Sequence, residues 1–138
     1  MPYYAVIDTN VIIAALLTKN SESSTVRIMT AVLSGEIIPL FHQDIIDEYN
    51  EVLHRKKFHF GEYAVQKILK AIKQFGVEVF PEPTEEIFID EDDLIFYEVA
   101  MEKDAYLITG NQKHYPAKKF IVSPAEMLEI MKNKVEVR

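Results

Sequence analysis

The sequence predicts an α/β fold with three layers, α/β/α, around a mainly parallel five-stranded sheet. Short apolar, β-prone runs alternate with longer segments whose apolar residues recur at helical spacing. One or two such helical segments separate successive runs, and parallel strands need connections of that length. The chain has 138 residues, of which 49% are hydrophobic and 27% charged, so it can bury the core of one ordinary domain.

Five strands are predicted from the apolar runs. The first, Tyr3–Ile7, is apolar and ends directly at Asp8, which is typical of a buried strand. The other four lie at residues 36–41, 77–80, 106–109 and 120–122.

Six helices are predicted around these strands. Their ranges are 10–18, 25–33, 43–55, 61–74 and 92–103, and the sixth helix opens at residues 123–126. Gly35 is expected to end the second helix. In the sixth, Ser123 takes the N-cap, Pro124 the first helical position and Glu126 the third, which together predict a capping box.

No linker or internal repeat divides the chain, so we predict a single domain over residues 1–138. The tail at 132–138 is expected either to fray or to form an interface. In the second case Val135 and Val137 would pair with a sheet edge or with a second subunit.

The composition excludes several classes of function. The chain has no cysteine, so it has no disulfide framework, zinc knuckle or thiol nucleophile. No apolar run approaches the roughly 18 residues of a membrane span, and no signal peptide is recognisable, so we expect a soluble cytoplasmic protein. The formal net charge of −7 argues against a surface that coats nucleic acid, although not against a nuclease whose carboxylates are neutralised by metal ions.

The first candidate ligand is Asp8, at the carboxyl end of the first strand, where parallel sheets bind their ligands. Two interpretations remain open for it: the N-cap of the following helix, or a ligand for a cation. Because Thr9 and Asn10 also cap helices well, the helix does not need Asp8, and the ligand interpretation is favoured.

Two further acids lie at the edges of apolar helix faces. Glu48 borders the apolar stripe of the helix at 43–55, and by this pattern alone a solvated glutamate or a partner of Arg55 is the favoured interpretation. Asp93 heads the inward face of the helix at 92–103, whereas its neighbour Asp92 projects off that face. An acidic helix start also has a simpler explanation, namely a favourable interaction with the helix dipole.

A fourth candidate segment is Thr109-Gly110-Asn111, which follows the strand at 106–109. If the strands take the usual doubly wound order, Asp8, Glu48, Asp93 and Asn111 converge. Oxygen ligands without cysteine or paired histidines suit a hard cation, Mg²⁺ or Mn²⁺. The chemistry that needs such an ion is phosphodiester hydrolysis.

Four short segments occur in a fixed order along nearly the whole chain. They are Val6-Ile7-Asp8-Thr9-Asn10-Val11, Asp44-Ile45-Ile46-Asp47-Glu48-Tyr49, Asp90-Glu91-Asp92-Asp93 with Ala100, and Leu107-Ile108-Thr109-Gly110-Asn111. Each is a weak pattern alone. Together, and in this order, they resemble the PIN-domain family, the ribonuclease domain found in many prokaryotic toxin–antitoxin toxins.

The resemblance implies a PIN-like fold and a metal-dependent endoribonuclease, with Mg²⁺ or Mn²⁺ as its cofactor. The family's acids map to Asp8, Glu48 and Asp93 as catalytic and metal-binding residues, with Asp92 as the alternative third acid. The residues that would orient a carboxylate or a water molecule are Thr9, Asn10, Thr109 and Asn111.

The sequence departs from the family pattern at one place. Family members often carry an aspartate in or just after the segment that matches Thr109-Gly110-Asn111, whereas this chain has Asn111 there and His114 nearby. Asparagine brings no charge, so one well-held ion is expected, with any second ion recruited only together with RNA.

Basic residues near these segments are candidates for RNA contact. They are Lys113, His114, Lys118 and Arg55. Such residues would bind phosphates and position RNA without reading its sequence. Tyr115 has two open interpretations, stacking on a base or anchoring the loop to the core.

The toxin hypothesis also implies a cognate antitoxin protein, and a homodimer is compatible with the family. The competing hypothesis is a catalytically weak or inactive PIN-like module that binds RNA or a protein.

Overall fold

The structure, a computed structural model, describes residues 1–85 and 89–134. Within these ranges it has five parallel strands and six α-helices, and this confirms the predicted α/β class. The strands are β1 (Tyr3–Ile7), β2 (Ile37–Phe41), β3 (Val77–Glu78), β4 (Tyr106–Ile108) and β5 (Ile121–Val122). The helices are α1 (Thr9–Leu17), α2 (Ser24–Ser34), α3 (Gln43–Leu53), α4 (Glu62–Phe75), α5 (Glu91–Glu102) and α6 (Pro124–Asn133).

The sheet has the strand order β3-β2-β1-β4-β5. The chain therefore builds outward from β1 through β2 to β3, and then returns to place β4 on the other side of β1. Ile7 pairs with Ile108 at the end of this β1–β4 ladder, so Asp8 and Thr109 leave the sheet side by side. Open parallel sheets bind ligands where the strand order reverses in this way.

Both faces of the sheet are covered. Three consecutive residues of β1, Ala5, Val6 and Ile7, have no exposed surface, although successive side chains of a strand point to opposite faces. On one of these faces α5 packs against β1, β2 and β4. The buried strand predicted at Tyr3–Ile7 is thus confirmed, together with its bounds.

The predicted helix signals are also confirmed. Gly35 ends α2 in the left-handed conformation with φ of 83°, which glycine adopts without steric cost. The Ser123 hydroxyl accepts a hydrogen bond from the backbone amide of Glu126, and the Glu126 carboxylate in turn accepts one from the backbone amide of Ser123. The capping box therefore fixes the direction in which α6 leaves β5.

Two short 3-10 helices, Lys56–Phe58 and Gln112–His114, were not predicted. Three residues are too few to show an apolar period, so the sequence gives no signal for them. In the predicted tail, Lys132 and Asn133 belong to α6, whereas 135–138 lie outside the described residues. Among the residues that are described, no helix is long and apolar enough to cross a membrane.

Gly76 generates a stability prediction. A Cβ atom added there would lie well inside contact distance of the carbonyl oxygens of Ile72 and Pro39. Gly76→Ala should therefore lower the free energy of unfolding by about 1–3 kcal/mol, measured by urea denaturation. The control is Gly61→Ser, because a Cβ there meets no atom within 4 Å and serine is a good N-cap for α4. Equal losses in both variants would contradict the proposed clash.

Candidate active site

A cavity of about 490 Å³ opens beyond the carboxyl ends of β1 and β4. Its walls come from the segment after β1, from α3, from the start of α5 and from the segment after β4. The lining side chains are Asp8, Thr9, Asn10, Glu48, Val52, Arg55, Asp90, Glu91, Asp92, Asp93, Asn111 and His114. The fold thus brings the predicted acids and amides, which are up to about a hundred positions apart in the sequence, to one place.

Asp8 has the most constrained carboxylate of this cavity. It occupies the N-cap position of α1, but its side chain makes no capping hydrogen bond. Instead Oδ2 accepts hydrogen bonds from Thr109 Oγ1 at 2.8 Å, from Tyr115 OH at 3.0 Å and from Asn10 Nδ2 at 3.3 Å. Only 5% of the residue is exposed.

The ionisation of Asp8 reflects this burial. Burial raises the pKa of the Asp8 carboxyl, and the hydrogen bonds from Thr109 and Tyr115 oppose that rise. A buried carboxylate with these donors is held in one orientation but keeps a strong preference for a nearby positive charge.

Thr109 and Asn10 join the ends of β1 and β4 through their side chains. The Thr109 hydroxyl accepts hydrogen bonds from the amide of Asn111 at 3.0 Å and from Asn10 Nδ2 at 3.3 Å, while donating to Asp8. The amide of Gly110 donates to Asn10 Oδ1 at 2.9 Å. The Thr109-Gly110-Asn111 segment therefore holds Asp8 in place.

Glu48 reaches the cavity from α3. The next residue, Tyr49, is fully buried in the core and donates its hydroxyl to the carbonyl oxygen of Ile7, which ties α3 to the end of β1. Burial raises the pKa of Glu48, and the charges of Asp92 and Glu51 raise it further.

Asp93 stands in the first turn of α5, where its side chain is 21% exposed. Burial is the main cause that raises the pKa of its carboxyl, and the charge of Asp8 raises this pKa further. Asp92, the alternative third acid, also lines the cavity but is exposed. Both acids thus reach the cavity, and Asp93 is the one that interacts with Asp8.

His114 contacts Asp93 from the 3-10 helix after β4. Its Nδ1 lies 3.4 Å from Asp93 Oδ2, and its Nε2 lies 3.0 Å from the side-chain amide of Asn111. Asn111 and His114 are therefore joined to each other, and His114 is joined to one of the acids.

The predicted RNA-contact residues divide between two cavities. Arg55 and His114 line the acidic cavity, and Arg55 also forms an ion pair with Glu51 at 3.1 Å. Lys113 and Lys118 line a neighbouring cavity of about 660 Å³. The 3-10 helix Gln112–His114 contributes to both cavities, so the lysines lie beside the acids rather than among them.

The residues present fit a divalent cation by three criteria. The predicted donors are carboxylate, amide and hydroxyl oxygens, which hard cations prefer. Burial raises the pKa of Asp8, Glu48 and Asp93, and neighbouring acids raise the pKa of Glu48 and Asp93 further; a cation would relieve both effects. The Thr9 hydroxyl at the cavity wall is buried without a hydrogen-bond partner in residues 1–85 and 89–134.

The side chains are not yet arranged around one point. In the described ranges, no group of three or more His, Asp or Glu side chains is positioned to hold an ion. An ion shared by three of them therefore requires side-chain rotation.

A family model described as "PIN domain" matches residues 4–113, a stretch that contains Asp8, Glu48, Asp93 and Asn111. The chain belongs to the PIN-domain family. An uncharacterized protein of Methanocaldococcus jannaschii is 33% identical over 110 residues, which cover 78% of this chain and 70% of that protein. PIN domains are generally nucleases that bind RNA and typically use divalent metals. His114 and Tyr115 lie just beyond the stretch that the PIN-domain model matches.

Two tyrosines of this PIN domain were not predicted as site residues. Tyr49 had the signal of a core residue, since it lies in the apolar stripe of its helix. Tyr115 had two open interpretations, and its burial with a hydrogen bond to Asp8 favours the anchoring one. A single aromatic residue in a loop carries no pattern from which a bond to a distant carboxylate follows.

The two buried threonines give a matched pair for mutagenesis. Thr109→Val removes a hydroxyl with three hydrogen-bond partners and should lower the free energy of unfolding by about 1–3 kcal/mol. Thr9→Val removes a hydroxyl without a described partner and should leave that free energy nearly unchanged. Urea denaturation in EDTA measures both, and a loss in Thr9→Val as large as in Thr109→Val would contradict this assignment.

Asp93→Asn should stabilise the metal-free protein at neutral pH. Because the folded-state pKa of Asp93 is raised, its ionisation destabilises the folded state as pH rises above the usual carboxyl range near 4. The variant should therefore match the wild-type melting temperature below that range and exceed it by about 2–4 °C at pH 7. Scanning calorimetry in EDTA from pH 3 to 8 measures the difference. Exposed Asp47 on α3 provides the control, Asp47→Asn, and a neutral-pH gain there of the same size would refute the explanation.

Proposed function

We propose that this chain is a metal-dependent endoribonuclease that hydrolyses RNA phosphodiester bonds with Mg²⁺ or Mn²⁺. The proposal rests on the cavity beyond the carboxyl ends of β1 and β4, where the strand order of the sheet reverses. Asp8, Glu48 and Asp93 all line this cavity. The Asp8 carboxylate is buried and its three hydrogen-bond donors are neutral, so a cation in the cavity would stabilise its charged form.

The cofactor would be held by Asp8, Asp93 and Glu48. When bound, a divalent cation supplies Lewis acidity, which activates water and offsets the charge that develops on the phosphate. Thr109 and Tyr115 keep the Asp8 carboxylate in one orientation, so little reorganisation is needed when the substrate arrives.

The raised pKa of Glu48 adds a second role. Glu48 is the least buried of the three acids, and its carboxyl pKa is raised by burial and by neighbouring acids. A carboxylate with a raised pKa is a better proton acceptor, and the pKa is raised for all three acids; because Glu48 is the most accessible of them, we propose that it takes a proton from the attacking water.

The RNA would approach across the 3-10 helix Gln112–His114. Lys113 and Lys118 line the neighbouring cavity, where Glu126 is the one acidic member and already accepts hydrogen bonds from Gln112 and Ser123. We propose that these lysines bind phosphates that flank the scissile bond, and that Arg55 contacts RNA from the α3 side.

We further propose that the protein is the toxin of a toxin–antitoxin pair and acts in the cytoplasm. A ribonuclease toxin needs a cognate antitoxin, and such a partner needs an apolar surface to bind. A groove of about 510 Å³ between α1, α2 and α4 has that character, with Leu33 and Phe75 partly exposed at its edge. The same groove would serve a homodimer, and the mass of the purified protein alone or with its antitoxin distinguishes the two.

The proposed activity predicts RNA cleavage that depends on metal and on two acids. Purified protein should cleave a labelled single-stranded RNA in Mn²⁺ or Mg²⁺ and stop in excess EDTA. Asp8→Asn and Asp93→Asn should each lower the rate at least about 100-fold, because removing a residue that only supports a metal ligand already costs about 10–100-fold. Gel electrophoresis of the products measures the rate, and calorimetry verifies folding.

Asp47→Asn is the matched control, since Asp47 is exposed on the same helix as Glu48 and lies outside the cavity lining. Cleavage that persists in EDTA, or at wild-type rate in both acid variants, would refute the proposal.

The second candidate function is a binding module without turnover. It is favoured by Asn111, which brings no charge to the cavity. RNA binding in a gel-shift assay, with no metal-dependent cleavage, would establish this alternative.

A further inference from the structure

The acidic cavity has one histidine, His114, among its described lining residues. The acids approach the cavity from β1, α3 and α5, whereas the side that follows β4 offers Asn111 and His114. Because Asn111 has no charge, the imidazole nitrogen of His114 is the stronger metal ligand on that side.

The distance between His114 and Asp93 suits two ligands of the same ion. His114 Nδ1 lies 3.4 Å from Asp93 Oδ2. Two donor atoms that each bind an ion at about 2.1–2.2 Å stand about 3.0–3.5 Å apart at octahedral or tetrahedral angles. These two atoms therefore already have the spacing that joint ligation requires.

Asn111 is placed to orient the imidazole. A histidine that binds a metal through one ring nitrogen usually donates a hydrogen bond from the other to a fixed acceptor. The amide nitrogen Nδ2 of Asn111 lies 3.0 Å from Nε2, and turning that amide by half a rotation would present its oxygen Oδ1 to an Nε2–H donor. Nδ1 is then left free to face Asp93 and the cavity.

An independent observation points to a ligand in the same cavity. Thr9 lies across the site on α1 and is only 7% exposed. Its buried hydroxyl has no hydrogen-bond partner in the described part of the chain. Buried hydroxyls are nearly always hydrogen-bonded, so a ligand of this cavity or a water molecule would complete the hydrogen bonds of Thr9.

We propose that His114 is a nitrogen ligand of the catalytic metal ion, oriented by Asn111. The inference rests on the proposed metal-dependent function. One imidazole among carboxylates shifts the preference of the site from Mg²⁺ toward first-row transition ions such as Mn²⁺.

The test is pulsed electron paramagnetic resonance of the full chain with one equivalent of Mn²⁺. The wild-type protein should show a nitrogen-14 coupling in its electron spin-echo modulation, and His114→Gln should lose it. Isothermal titration should show that the Mn²⁺-to-Mg²⁺ affinity ratio falls about 10-fold or more in His114→Gln. Asn111→Ala should keep the nitrogen coupling while weakening Mn²⁺ binding.

The matched control is His54→Gln, because His54 contacts the Glu62 carboxylate at the surface, away from the cavity. This variant should keep the coupling. A second measurement needs no variant. In wild-type protein labelled with nitrogen-15 histidine, the nitrogen-14 coupling should disappear and a nitrogen-15 coupling should appear.

The outcomes separate the two proposals. Mn²⁺ binding without any histidine coupling, or a coupling that survives in His114→Gln, overturns the ligand proposal and leaves metal-dependent cleavage standing. Failure of the wild-type protein to bind Mn²⁺ or Mg²⁺ overturns both.

Discussion

The buried carboxylate of Asp8 is the constraint on which the site depends. Its Oδ2 accepts hydrogen bonds from Asn10 after β1, from Thr109 after β4 and from Tyr115 beyond the 3-10 helix Gln112–His114. Three separate segments are therefore fixed by one oxygen atom. Since those segments also form the cavity wall, the position of Asp8 determines where the other groups stand.

The acidic cavity is electrostatically unfavourable for the fold, and the core compensates for it. Burial raises the pKa of Asp8, Asp93 and Glu48, and the charges of these residues repel one another. Beneath them the β1–β4 ladder is fully buried, and Tyr49 and Phe96 pack against each other with ring centroids 5.9 Å apart. A functional site often keeps such a local destabilisation because a rigid core holds it in place.

The charges around the site are divided in a way that suits a phosphate polymer. Carboxylates line one cavity, lysines line the next, and the 3-10 helix Gln112–His114 contributes to both. The net charge of −7 is therefore no obstacle to nucleic-acid binding, because the lysine cavity offers a local positive surface. A metal ion in the acidic cavity would make this cavity, like the lysine cavity beside it, attractive to the phosphates of RNA.

The amino-acid sequence by itself determined the α/β class, all five strands and the ends of several helices, because apolar periodicity, Gly35 and the Ser123 capping box are local signals. It also placed Asp8, Glu48 and Asp93 on the segments that now line the cavity. Only the tertiary structure decided that the Asp8 side chain does not cap α1 and that Tyr115 and Thr109 hold it in place. It also decided that His114 contacts Asp93, whereas Lys113 and Lys118 line another cavity. These are contacts between residues up to about a hundred positions apart, and they follow from the strand order at β1 and β4, which no local pattern of side chains encodes.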